Sequence, residues 1–111
     1  MFRGESLLNV DDKGRMAVPS RYREQLKAMC GGSLVVTISL LHRCLTVYPA
    51  PDWQRIEDDL KKLPALDQKA QAIRHLLIGH ATECELDSQG RILLAQSLRE
   101  FASLGKRVKM V

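Results

Sequence analysis

No stretch of this 111-residue chain approaches the roughly 20 apolar residues needed for a membrane-spanning helix. The opening Met1-Phe2-Arg3-Gly4-Glu5 sets an acid where a secretion signal would begin its apolar core, so no export signal is expected. Cysteine is scarce and odd in number. Cys30, Cys44 and Cys84 stand at unrelated spacings, which argues for reduced thiols and a cytoplasmic location over a disulfide framework. Charge of one sign is also lacking: 17 Lys and Arg face 13 Asp and Glu, leaving a net charge of +4 without a run. That balance permits a nucleic-acid partner but does not argue for one.

The apparatus of an enzyme is missing too. Serines occur without a nucleophile elbow, and no glycine loop is built to cradle phosphate. Asp11 and Asp12 are adjacent, so on a strand their carboxylates diverge. No catalytic residue is assigned, and an enzyme is not expected. His42-x-Cys44 and His80-x-x-x-Cys84 could each offer two ligands, but neither has zinc-finger spacing, so no metal or other cofactor is expected. With 45% apolar and 27% charged residues, the chain should form one compact domain or two small intertwined halves.

What the chain does contain is a repeat. Asp11-Asp12-Lys13-Gly14-Arg15-Met16-Ala17-Val18 returns as Asp87-Ser88-Gln89-Gly90-Arg91-Ile92-Leu93-Leu94, 76 residues later. Arg23-Glu24 recurs at the same offset as Arg99-Glu100. Gly31 before Leu34-Val35-Val36-Thr37 then matches Gly105 before Val108-Lys109-Met110-Val111, now offset by 74. A duplicated motif with one arginine per copy points to a two-fold binding surface rather than a single pocket.

Each Asp-x-x-Gly tetrad has the chemistry of a type I turn closed by a bulge. The aspartate accepts a local backbone hydrogen bond, and the glycine takes positive φ at little cost. Leu7 to Val10 and Met16 to Val18 read as flanking strands, which sets Arg15 and Arg91 at the tips of tight hairpins. Pro19 should end the second strand and Ser20 cap a helix carrying Tyr22, Leu26 and Met29 on one face, stopped by Gly31-Gly32. Leu34 to Leu40 and Leu45 to Tyr48 read as two more strands, joined through Leu41-His42-Arg43-Cys44. Between the copies, one helix opens at Pro51-Asp52 with a Trp53, Ile56, Leu60 and Leu63 stripe and ends at Pro64. A second runs from about Asp67 to Ile78, with Ala70, Ile73 and Leu77 on one face and Gly79 as its stop. Both stripes are expected to be core.

With its doubled Asp-x-x-Gly-Arg turn, the chain resembles the MraZ family, whose halves each look like a SpoVT/AbrB-type swapped-hairpin module. The resemblance extends over Met1-Phe2-Arg3-Gly4, Val18-Pro19, Tyr22-Arg23, Tyr48-Pro49 with Trp53, and Gly79-His80-Ala81. It implies an α+β, mainly β fold: tandem SpoVT/AbrB-like swapped-hairpin β-barrel modules over 5–50 and 80–111, with a helical connector over 51–79. It also implies that the second module is incomplete. The chain stops at Val111 inside the strand equivalent to Leu34 through Thr37, without a counterpart of Leu45 to Tyr48, which would leave an exposed edge. The function implied is that of a bacterial transcriptional regulator, nucleoid-associated and without a membrane partner. Family members form rings that bind short tandem repeats of double-stranded DNA upstream of their own operon in the division and cell-wall gene cluster, where repression is the expectation.

Hairpin arginines suit that task. A two-stranded ribbon fits the major groove, and a guanidinium donates two parallel hydrogen bonds to guanine O6 and N7. Arg15 is expected as the main reader and Arg91 as the second, with Lys13, Arg3, Arg21 and Arg23 supplying positioning charge. The second copy has neutral Gln89 where the first has Lys13, so the halves should bind unequally. Asp11, Gly14, Asp87 and Gly90 are expected to shape the loops. The plainer reading of each Asp–Arg pair is a salt bridge across a turn, worth little at a surface; the two readings are compatible. An antitoxin-like module is the remaining alternative, although antitoxins of this type usually carry one module and a disordered tail. A metal-binding structural protein is the other.

Overall fold

The computed structural model describes residues 6–40, 42–102 and 107–110, the last four by their backbone only. The N-terminal tetrad with Arg3, and also Leu41, Gly105 and Val111, lie outside the described residues. The first repeat runs β1 (Ser6–Asn9), β2 (Arg15–Ala17), α1 (Ser20–Cys30), β3 (Ser33–Ile38) and β4 (Leu45–Pro49). Two helices follow, α2 (Ala50–Lys61) and α3 (Gln68–His80). The second repeat then gives β5 (Thr82–Glu85), β6 (Arg91–Leu93), α4 (Gln96–Phe101) and β7 (Arg107–Met110).

β3 and β4 pair antiparallel as a hairpin, but the strands flanking the two Asp-x-x-Gly turns do not pair with each other as strands. Beyond one bridge, Val10 to Met16, the arms of the first hairpin part and cross to the other repeat. β2 pairs antiparallel with β6, placing Arg15 opposite Leu93, Met16 opposite Ile92 and Ala17 opposite Arg91. β1 pairs with β7, and β5 pairs with β3, again antiparallel. The two outer pairings are equivalent: Asn9 faces Arg107 as Glu85 faces Ser33. Among the described residues the result is three open antiparallel sheets, not the closed barrel expected of each module.

The physical reason for the crossing is visible in the core. The three-residue strand β2 has one inward side chain, Met16, and crossing buries it against the other repeat as well as beside Val10 of its own hairpin. Crossing sets Met16 beside Ile92, and the same cluster takes in Val18 with Leu94 and Tyr22 with Leu98, three pairs at equivalent positions in the two copies. Val10, Leu26, Leu34, Val36 and Ile38 complete it. Leu98 and Ile92 are almost wholly buried, so truncating either to alanine should cost about 2–5 kcal/mol.

Several local expectations are corrected. Pro19, not Ser20, occupies the N-cap of α1, and no side chain caps it; a proline there needs no backbone donor, and Ser20 becomes the first helical residue. Gly31 does end α1, in the left-handed conformation. Met29, in the last turn of α1, is 46% exposed and not core. α3 continues through Gly79 to His80, since a single glycine only weakens a helix that packing already holds. Its N-terminus is capped by the Asp67 carboxylate, which accepts from the Lys69 and Ala70 N–H groups. The α2 stripe is core at Trp53 and Leu60. The α3 stripe is core only at Ala70, while Ile73 stays 38% exposed. A polar contact also ties α3 to β3: buried Thr37 donates its hydroxyl to the Leu77 carbonyl at 2.8 Å.

Candidate functional site

The two Asp-x-x-Gly-Arg turns are the same object built twice. In the first, the Asp11 N–H donates to the Arg15 carbonyl at 2.9 Å and the Gly14 N–H to the Asp11 carbonyl at 3.0 Å. The second repeats both distances between Asp87, Arg91 and Gly90. Gly14 and Gly90 have φ of 85° and 74°, the left-handed region where a side chain is disfavoured. This is the expected turn closed by a glycine bulge.

The aspartates organise each loop from inside. Asp11 Oδ1 accepts from the Lys13 N–H at 2.9 Å and the Arg15 N–H at 2.8 Å. Its Oδ2 takes the Arg15 Nε–H at 2.8 Å. Asp87 does the same with Gln89, Arg91 and Arg91 Nε, at 2.8, 2.9 and 2.9 Å. The Arg15 backbone N–H is the main cause holding the Asp11 carboxyl below the usual carboxylate range; slight desolvation opposes it, and the guanidinium and the Lys13 N–H add to it. For Asp87 the Arg91 backbone N–H again leads, against slight desolvation, with the Gln89 N–H next and then the Arg91 side chain. The expected salt bridge is therefore present in both copies. It occupies Nε and leaves the two terminal nitrogens of each guanidinium outside the pair.

The pairing of β2 with β6 brings both arginines onto one surface. Side chains alternate along a strand, so Met16 and Ile92 face the core while Arg15, Ala17, Arg91 and Leu93 face outward. Arg91 lies opposite Ala17, two residues along from Arg15. With a rise of ~3.4 Å per residue and strands ~4.8 Å apart, the two arginine Cα positions are separated by about 8 Å. The side chains of Arg15 and Arg91 are 34% and 28% exposed. Leu93, directly across from Arg15, is 57% exposed.

Other residues singled out in the sequence fall in different places. Lys13 is exposed on the first turn. Arg21 donates from Nη2 to the Ser6 hydroxyl at 2.7 Å and lies over the Tyr22 ring, 4.8 Å from its centroid. Arg23 is half-buried, its Nε donating to the Val18 carbonyl at 2.6 Å. Arg3 lies outside the described residues. The equivalent of Arg23 in the second repeat, Arg99, donates from Nε to the Leu94 carbonyl at 3.2 Å. Sequence reasoning registered Arg99 as part of the repeat but gave it no role; its offset of 76 from Arg23 was the signal. Leu93 had no signal at all, since its exposure depends on strand register.

The histidine and cysteine positions do not converge. His80 Nδ1 sits 2.8 Å from the Leu76 carbonyl within its own helix, and burial pushes the Cys84 thiol up. Among the described residues no three His, Cys, Asp or Glu side chains are placed to hold a metal ion. No helix among them is long and apolar enough to cross a membrane.

Comparison with known proteins bears on the whole chain. A family described as "MraZ protein, putative antitoxin-like" matches residues 1–76 and 77–111. A protein of Thioalkalivibrio sulfidiphilus named transcriptional regulator MraZ is 55% identical over all 111 residues, which span 73% of that relative. Relatives of the same name from Pseudomonas aeruginosa and Escherichia coli are 49% and 47% identical over the full chain, covering 74% and 73% of their lengths. A doubled Asp–Arg turn on a shared ribbon and full-length similarity lead to one assignment: the chain belongs to the MraZ family.

Proposed function

We propose that this chain is a sequence-specific, DNA-binding transcriptional regulator that reads base edges with the arginines of its two turns. Its relatives are regulators by name and the chain is not an enzyme. The observation that carries the reading is the outward face of the β2–β6 ribbon, where Arg15 and Arg91 stand about 8 Å apart by strand geometry. A two-stranded ribbon enters the major groove, where bases are distinguishable by their donor and acceptor pattern. Each guanidinium is tethered to its aspartate through Nε, so its terminal nitrogens remain for the paired acceptors of guanine. Leu93 beside Arg15 supplies an apolar surface of the kind that meets a thymine methyl.

The exposed Lys13 supports a phosphate contact in this reading, and Arg21 adds charge close to β1. Modules over 5–50 and 80–111, exchanging strands across a connector over 51–79, are the arrangement favoured by the crossed pairings. One ribbon offers few contacts and cannot give useful affinity alone. Assembly into a ring-shaped homo-oligomer on tandem short repeats would make later contacts intramolecular, raising avidity by about 10²–10⁴. Sitting across a promoter in the cytoplasm, at the nucleoid, such a complex blocks polymerase, which makes repression of its own operon the favoured outcome.

The test is direct. Light scattering coupled to size-exclusion chromatography, with a duplex carrying tandem repeats and with a shuffled duplex, should show an oligomer that engages only the first. Arg15→Ala should abolish that preference while leaving the oligomer's mass unchanged. A footprint unaltered by Arg15→Ala would remove the mechanism.

A further inference from the structure

The two turns are held by arginines belonging to the opposite repeat. A Cβ on Gly14 would lie 2.9 Å from Arg99 Cζ and 3.0 Å from its Nε and Nη2. The guanidinium therefore rests against the bare Cα of the residue preceding Arg15. On the other side, a Cβ on Gly90 would lie 2.8 Å from Arg23 Cζ, with Arg23 Nε and Cδ closer still. Each glycine thus answers two demands, a left-handed backbone and a guanidinium with no room for a side chain.

Each of these arginines is locked into a closed circuit. Arg99 Nε donates to the Leu94 carbonyl, while the Leu94 N–H donates to the Gly14 carbonyl at 2.9 Å. Arg23 Nε donates to the Val18 carbonyl, while the Val18 N–H donates to the Gly90 carbonyl at 2.9 Å. One residue of the opposite repeat thus fixes both the glycine's carbonyl and the guanidinium packed on that glycine. A planar, charged group with a directional Nε–H suits this role, and a lysine ammonium on a flexible stem does not.

We propose that Arg99 and Arg23 are positioning residues acting crosswise: Arg99, on α4, sets the Arg15 tip, and Arg23, on α1, sets the Arg91 tip. This rests on the DNA reading given above for what the tips do, but not for how they are held. The glycine is the residue directly before each tip, so any rotation of it swings the following side chain. A tip is then a product of both repeats, and neither repeat presents its reader alone. The two supports are unequal, with Arg23 Nε 2.6 Å from its carbonyl and Arg99 Nε 3.2 Å from its own, so the Arg15 tip is the more loosely braced.

The experiment has one arm without DNA and one with it. In ¹H–¹⁵N spectra of the free protein, Arg99→Ala should move the Gly14 N–H and Arg15 Nε–H signals and leave those of Gly90 and Arg91 in place. Arg23→Ala should do the reverse. Arg99→Lys and Arg23→Lys keep the charge and protect the fold, and should give the same crosswise pattern at reduced amplitude. A purely structural role would move both turns together or neither, and that result overturns the proposal. In the binding arm, Arg99→Ala should lower affinity for a tandem-repeat duplex about tenfold, as expected for contacting residues that couple. It should cost nothing further once Arg15 is already alanine, yet its full effect when Arg91 is alanine. Coupling of Arg99 to Arg91 instead of Arg15 would also overturn the proposal. If the native chain ignores tandem repeats while the crosswise shifts persist, the DNA reading falls and the positioning stands.

Discussion

The first and second repeats share a turn to within 0.1 Å in every hydrogen bond between the aspartate and its neighbours, yet differ in what surrounds it. Asp12 and Lys13 project from one loop, Ser88 and Gln89 from the other. Across the ribbon Arg15 meets exposed Leu93, whereas Arg91 meets the smaller Ala17. β3 lies between β4 and β5, while β7 pairs with β1 alone among the described residues. Aspartate and glycine fix the loop's shape locally, so the intervening positions can vary without disturbing it. Shape and charge have separated: the repeats present one geometry and two surfaces.

The largest consequence concerns the tips themselves. If Arg15 is the stronger reader, Arg15→Ala should reduce repeat-specific affinity roughly 10- to 100-fold per engaged tip, the value of one bidentate base contact. Arg91→Ala should cost several times less, because its tip is less exposed and has no lysine beside it. Fluorescence anisotropy with matched duplexes measures both. Equal losses would show that the surrounding differences do not matter to recognition.

Next in size come the glycines. Gly14→Ala and Gly90→Ala each force a left-handed alanine, costing about 1–2 kcal/mol before any displaced guanidinium is counted. Gly90→Ala should cost more, since Arg23 packs closer to it than Arg99 does to Gly14. Chemical denaturation of the two variants would rank them. A more damaging Gly14→Ala would mean that Arg99 is the less movable of the two.

Much of this was legible in the sequence because the signals are local. A turn closed by Asp and Gly needs only five residues, and the helix faces of Tyr22 with Leu26 and of Trp53 with Leu60 follow from spacing. Which strands pair was not legible. Leu7 to Val10 and Met16 to Val18 look like partners in one hairpin, and nothing within either segment says that its ladder belongs to a strand about 100 residues away for the first and about 75 for the second. The outward face of the ribbon follows from that pairing, so Leu93 could not be recognised. The tie of Arg23 to the opposite turn was hidden for a related reason. A charged residue on a short helix reads as surface until the other repeat supplies Gly90 and the Val18 carbonyl supplies an acceptor.

Exchanging the loop residues isolates charge from shape. Lys13→Gln makes the first turn resemble the second and should weaken binding to all sequences alike. The slope of log affinity against log salt should fall by about 0.9 for one lost phosphate contact. Gln89→Lys should steepen it by a similar amount if the second loop approaches the backbone as closely. An unchanged slope in the first variant would take Lys13 off the phosphates.

The smallest effect is a titration. Both aspartates are held below the range of an unfolded aspartate, which titrates near ~3.9, so the folded state binds fewer protons there. Their contribution to the folded turn is complete above that value and is lost as pH falls through the lower folded one. Below about pH 4, then, both turns should loosen, seen as movement of the Arg15 and Arg91 Nε–H signals. In both turns the arginine backbone N–H is the main cause and the guanidinium adds to it. Arg15→Ala and Arg91→Ala keep that N–H, so each should raise the midpoint of its own aspartate only part of the way to the unfolded value. Carboxyl ¹³C shifts followed through acid measure both, and a full return to the unfolded value would mean that the guanidinium, not the backbone, governs the turn.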